Sequence, residues 1–113
     1  TVPPKFTAYQ GFDALFHSVE GYLSVVSSPM SEMVQLAAIE NIGTYLPRAV
    51  KDGSDLEARE HVAFANTMSG YSMVVGSCTS EHSMEHAMSA AARCGTDYDF
   101  GGVLQTLYRK TLL

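Results

Sequence analysis

The chain has 113 residues, 46% of them hydrophobic, and a formal charge of −5; with a mean hydropathy of +0.02 this is the composition of one globular domain with a modest core and no room for a second. Acidic residues are scattered along it and no basic stripe exists to neutralise phosphates or dock on an anionic membrane, so nucleic acid and a membrane surface are excluded as expected partners. No apolar stretch is long enough to span a bilayer, and Cys78 and Cys94 are too few for the disulfide framework of a small secreted domain, so free thiols and a cytoplasmic location are expected.

Thr1-Val2-Pro3-Pro4 has neither an initiator Met nor a charged leader and reads as a cut end, with the prolines suited to a first helical turn. Phe12, Leu15, Phe16, Val19, Leu23 and Val26 then recur at spacings of three and four, which predicts a first helix over residues 4–26 with these side chains on its core face. Ser27-Ser28-Pro29 interrupts the pattern, and Ser31 is positioned to cap a second helix through Met33, Leu36, Ile39, Ile42 and Leu46. Apolar residues on more than one side predict that this helix is buried between neighbours. Pro47 is expected to kink or restart it, and Gly53 to end it.

Ser54-Asp55-Leu56-Glu57 has the spacing of a capping box for a third helix reaching about residue 76. Thr79 or Ser80 can cap a fourth, carrying His82, Met84, His86 and Met88 into Ala90-Ala91-Ala92-Arg93, with Gly95 as its stop. Beyond Gly101-Gly102, which lacks the context of a phosphate loop, Val103, Leu104, Leu107, Tyr108 and Leu112 predict a short last helix. The expected fold is therefore all-α, a bundle of about five helices. The six Met fall at core spacing and are expected to fill it, while His61 is expected to be an exposed polar residue without a role.

Asp13 and His17 are four residues apart, which places a carboxylate oxygen and an imidazole nitrogen about one turn apart on one helical face. His82 and His86 repeat the spacing on another helix. A mixed carboxylate and imidazole set without thiolate suits iron(II) or zinc better than calcium or magnesium. Phe12, Leu15 and Phe16 around Asp13 and His17 imply a largely buried helix, and a buried carboxylate needs a partner. His82-Ser83-Met84-Glu85-His86 also has the H-x-x-E-H spacing of inverzincin proteases, but only 27 residues follow it, too few to supply that family's distant third ligand.

Several blocks in order resemble the C-terminal helical domain of the iron-containing (group III) alcohol dehydrogenases. Gly11-Phe12-Asp13-Ala14-Leu15-Phe16-His17-Ser18-Val19-Glu20-Gly21-Tyr22 is similar to the family's G-x-D-A-L-x-H-x-x-E-x-Y helix. The run from Leu46-Pro47-Arg48 to Ala58-Arg59-Glu60 follows, and then Glu81-His82-Ser83-Met84-Glu85-His86-Ala87-Met88, similar to its H-x-M-x-H segment. The resemblance covers about residues 2–90. It implies a metal held by one Asp and three His, with Asp13 as the carboxylate ligand, His17 and His82 as imidazole ligands, and His86 lining the pocket for substrate and nicotinamide. Fe(II) or Zn(II) would then act as a Lewis acid on a small alcohol, with NAD(P) as hydride acceptor in the full-length family.

Two departures from the family pattern carry consequences. The family's third histidine lies in a P-H-G turn after the H-x-M-x-H helix, whereas Ala91-Ala92-Arg93-Cys94-Gly95-Thr96-Asp97-Tyr98 holds no His. No Gly-rich phosphate loop occurs either. The expectation is a residual metal-binding domain, inactive by itself as a dehydrogenase, with weak or absent metal. Residues 91–113 form a divergent tail whose apolar face could cover exposed core or pair with a second copy as a homo-oligomer. A non-catalytic helical interaction module is the alternative, and a metal-dependent hydrolase lacks a positioned nucleophile and base.

Overall fold

The computed structural model describes residues 2–75, 79, 82–84 and 86–87. Three helices make its frame: α1 (Pro4–Leu23), α2 (Pro29–Lys51) and α3 (Leu56–Val75). Each packs against the other two, but α2 is not buried on the several sides that its apolar pattern predicts: Met33 and Leu36 are 61% and 49% exposed, and Gln35, Ala38, Ile42, Leu46 and Ala49 are buried along one face. Residues 82–84 and 86–87 are helical and belong to the expected fourth helix. The expected fifth lies outside the described residues.

The face of α1 that faces the core is not the one its large apolar residues suggest. Thr7, Gly11, Ala14, Ser18 and Gly21, at alternating spacings of four and three, are buried, whereas Leu23, the last residue of a helix expected to reach 26, and Val26 beyond it are 71% and 56% exposed. Phe16 is buried and Phe12 and Leu15 are partly so. The reason is close approach. A Cβ on Gly11 would overlap the Leu46 side chain, and one on Gly21 would lie 2.6 Å from both Gln35 Nε2 and Ser72 Oγ. Small residues thus let three long helices meet around Ala14, Ala38, Ile42, Leu46 and Ala65, where dispersion contacts accumulate over short distances. Polar atoms trapped in this seam bond to each other: Ser18 and Ser69 hydroxyls lie 2.8 Å apart, and Gln35 Nε2 donates to Ser72 Oγ at 2.8 Å.

The methionines are likewise displaced from their expected place. Met30, Met33, Met73 and Met84 are 41% or more exposed, and only Met68 among the described five packs against the core. A seam of Gly, Ala and Ser leaves no gap wide enough for a long thioether.

Local chemistry explains the helix ends. Ser28, rather than Ser31, caps α2: its hydroxyl accepts from Ser31 N while the Ser31 hydroxyl accepts from Ser28 N, a reciprocal box followed by Pro29 in the first turn. The helix then continues through Pro47 to Lys51, with Arg48 and Lys51 favourably placed in its last turn. Asp55, not Ser54, caps α3 by accepting from Ala58 N at 3.0 Å. Ser54 instead donates from its amide and hydroxyl to Asp52 Oδ1, and Glu57 is held by Arg48 at 2.8 Å. Arg59 ties this corner to the start of α1, donating to Gly53 O, Thr7 Oγ1 and Val2 O. Among the described residues no helix is long and apolar enough to cross a membrane.

Candidate metal centre

The next face of α1 carries Asp13, His17 and Glu20, spaced four and three apart, and His82 lies against it from the following segment. Asp13 Oδ1 is 3.4 Å from His17 Nε2 and 3.3 Å from His82 Nε2. The two imidazole rings stack at 4.1 Å with 21° between their planes. One ligand atom from each of Asp13, His17 and His82 therefore falls within 4.8 Å of the others.

These spacings suit an ion. Ligand atoms about 2.0–2.2 Å from a common tetrahedral zinc lie roughly 3.3–3.6 Å apart, whereas a direct bond between imidazolium and carboxylate closes to about 2.7–2.9 Å. The donor set of one carboxylate oxygen and two imidazole nitrogens fits zinc or iron(II).

Glu20, to which sequence reasoning assigned no role, is the most buried member of the cluster, at 1% exposure. Its Oε1 accepts from His82 Nδ1 at 2.5 Å and from His82 N at 3.1 Å. Its Oε2 accepts from Thr79 N at 2.5 Å. The signal for it was present: Glu20 falls seven residues after Asp13, two turns along the same stripe of the helix.

The charges reinforce one another. Burial pushes the Asp13 carboxyl up, but hydrogen bonds and charge from His17 and His82 outweigh it and leave it lowered to about 2. Burial likewise opposes ionisation of Glu20, whose bonds to His82 and Thr79 hold it below the usual carboxylate value. For His82, burial favours the neutral ring, yet Asp13 and Glu20 on its two nitrogens raise it to about 9.

The structure thus brings together Asp13, His17 and His82, and leaves His86 outside that group and exposed. His17 is the imidazole stacked on His82, and Glu85, the base that the H-x-x-E-H spacing would supply, lies outside the described residues. Cys78, Cys94 and Gly101-Gly102 also lie outside them. His61 departs from expectation: it is half-buried, stacked on Tyr45 at 3.8 Å, with Nδ1 2.7 Å from Asn41 Oδ1. A polar residue on a helix facing a tyrosine and an amide is drawn in by both.

Residues 7–94 match the model of the Fe-containing alcohol dehydrogenase family, C-terminal. Among curated proteins, alcohol dehydrogenase 4 of Schizosaccharomyces pombe is 38% identical over 77% of this chain and 21% of its own length. The NAD-dependent methanol dehydrogenase of Bacillus methanolicus is 37% identical over 74% of this chain and 22% of its own. Among solved structures, an alcohol dehydrogenase from an archaeal halo-thermophile of a Red Sea brine pool superposes with a TM-score of 0.84 at 35% identity, covering 91% of this chain and 25% of that one. The iron-containing alcohol dehydrogenase of Thermotoga maritima superposes with a TM-score of 0.81 at 27% identity, over 92% and 27% respectively. The chain spans about a fifth of the length of the curated relatives it matches. With a family match along most of its length and the same helical fold, this chain belongs to the Fe-containing alcohol dehydrogenase family and corresponds to its all-α C-terminal domain.

Proposed function

We propose that this chain provides the metal-holding wall of the active site of an alcohol dehydrogenase, with Asp13, His17 and His82 as ligands to iron(II) or zinc. The observation that carries this reading is the convergence of three donor atoms within 4.8 Å, two of the separations being 3.3 and 3.4 Å. When bound, the ion supplies Lewis acidity that eases deprotonation of an alcohol. Asp13 contributes negative charge to hold it, and its carboxylate stays ionised well below neutral pH. His17 and His82 each present Nε2 towards Asp13. Three protein donors leave at least one position for substrate.

His86, exposed one turn beyond His82, is assigned to the pocket that receives the small alcohol and the nicotinamide. The hydride acceptor, NAD(P), would be held by parts of the full-length relatives that these 113 residues do not correspond to, which agrees with the share of each relative that is matched. On this reading the chain contributes metal and substrate positioning, and by itself transfers no hydride.

Metal analysis tests it. With iron(II) or zinc in excess the purified chain should bind close to one equivalent, weakly for want of a third histidine, and Asp13→Ala or His82→Ala should each lower the affinity and shrink the rise in Tm on adding metal. A wild-type chain that binds none, or variants that bind as tightly, would refute the assignment.

A further inference from the structure

The metal reading gives three ligands but does not explain why a fully buried glutamate stands behind one of them. Glu20 receives two backbone amides, Thr79 N and His82 N, one on each carboxylate oxygen. Backbone amides only donate, so neither oxygen can carry its proton towards them, and both act as acceptors. The third donor, His82 Nδ1, shares Oε1 with His82 N. An acceptor there requires that Nδ1 carry a hydrogen, which leaves Nε2 as the ring's donor atom, and Nε2 is the atom that faces Asp13.

The same carboxylate does a second job. Thr79 O accepts from Ser83 N and from the Ser83 hydroxyl, which marks Thr79 as the start of the helical turn carrying His82. The first amides of a helix have no partner within it. A threonine in this position ordinarily satisfies them with its own hydroxyl. Here Glu20 takes the amides of Thr79 and His82 from across the helix interface, and the Thr79 hydroxyl lies 3.4 Å from its Oε2. One side chain on α1 therefore caps the His82 turn and orients its ring.

We propose that Glu20 is the positioning residue of the metal centre: it docks Thr79 and His82 on α1 and holds His82 in the Nδ1–H form, so that only Nε2 is offered to the ion. This rests on the assignment of His82 as a ligand. Carboxylates bound to the far nitrogen of a ligating histidine are a general device for fixing its tautomer and raising its basicity, and their loss costs about 10–100-fold in metal affinity. A glutamine in this position cannot replace the carboxylate, because its amide nitrogen would face a backbone donor.

Zinc titration of the 113-residue chain by competition with a chelating dye tests the proposal through a double-mutant cycle. Glu20→Gln should weaken zinc binding by at least about tenfold. In a His82→Ala background the same substitution should cost nothing further, because the ring through which Glu20 acts is gone. An equal loss in both backgrounds would assign Glu20 a general structural role and overturn the proposal, as would no loss in the wild-type background. A wild-type chain without zinc affinity would overturn the ligand assignment itself, a different result from a binding wild type with an unaffected Glu20→Gln. Should Glu20→Gln fail to fold, the wild-type zinc complex with nitrogen-15-labelled histidine decides by NMR: coordination through Nε2 with a retained Nδ1–H supports the proposal, and coordination through Nδ1 refutes it.

Discussion

Two acid–base clusters in this molecule have nearly the same bond lengths and opposite surroundings. At one end Arg48 reaches Asp55 and Glu57, each at 2.8 Å, with the Arg48 side chain 46% and Glu57 62% exposed. At the other, His82 meets Glu20 at 2.5 Å with side-chain exposures of 4% and 1%. The distances alone would rank them together. Water separates them: an exposed pair gives up its hydration for little and is screened by salt, whereas breaking a buried pair strands a charge and its hydrogen-bond donors away from solvent.

The largest effect should follow from breaking the buried cluster. Glu20→Ala leaves His82 Nδ1 and the amides of Thr79 and His82 without their acceptor, a loss on the order of 3–5 kcal/mol for the interactions that dock this segment. Amide hydrogen exchange should locate it at Thr79 and His82, with α2 and α3 retaining their protection. Uniform loss of protection across the three helices would show that the cluster holds the whole bundle.

A pH series sharpens the contrast. His82 is raised to about 9, so the stability its protonated ring contributes is complete below the ordinary imidazole value of about 6.5 and is lost as pH rises through about 9. Asp13, lowered to about 2, contributes stability that is present above about 4 and lost as pH falls through about 2. Without metal, Tm should therefore decline between about pH 6.5 and 9. With zinc the trend should reverse relative to the metal-free chain, because the ion competes with the proton on His82 Nε2 and gains as that proton leaves. Parallel curves with and without zinc would remove His82 from the ligand set.

The smallest effect belongs to the exposed cluster. Arg48→Ala should shift Tm only slightly, and molar salt should erase the difference. A shift as large as that from Glu20→Ala would mean that the corner built by Arg48, Asp55 and Glu57 carries more of the fold than its exposure implies.

Much of this arrangement is legible in the order of residues. The breaks at Ser27-Ser28-Pro29 and around Gly53 separate the three helices within a few residues of where they end, because proline and capping side chains act on the backbone locally. Asp13, His17 and His82 stand out as candidate ligands by spacing and resemblance. The capping serine and the α3 cap are each misplaced by sequence reasoning, since neighbouring Ser and Asp residues compete for the same amides and the turn geometry chooses between them.

The three helices of the frame, the family and the candidate donors Asp13, His17 and His82 are written in local spacing and matching motifs. Which face of α1 turns inward, and what stands behind His82, depend on how the helices pack against one another. The seam of Gly11, Ala14, Ser18 and Gly21 prevails over larger apolar side chains because it admits the backbones of neighbouring helices. Glu20 becomes a partner of His82 through contact across 62 residues of chain, a relation that no periodicity along one helix can contain.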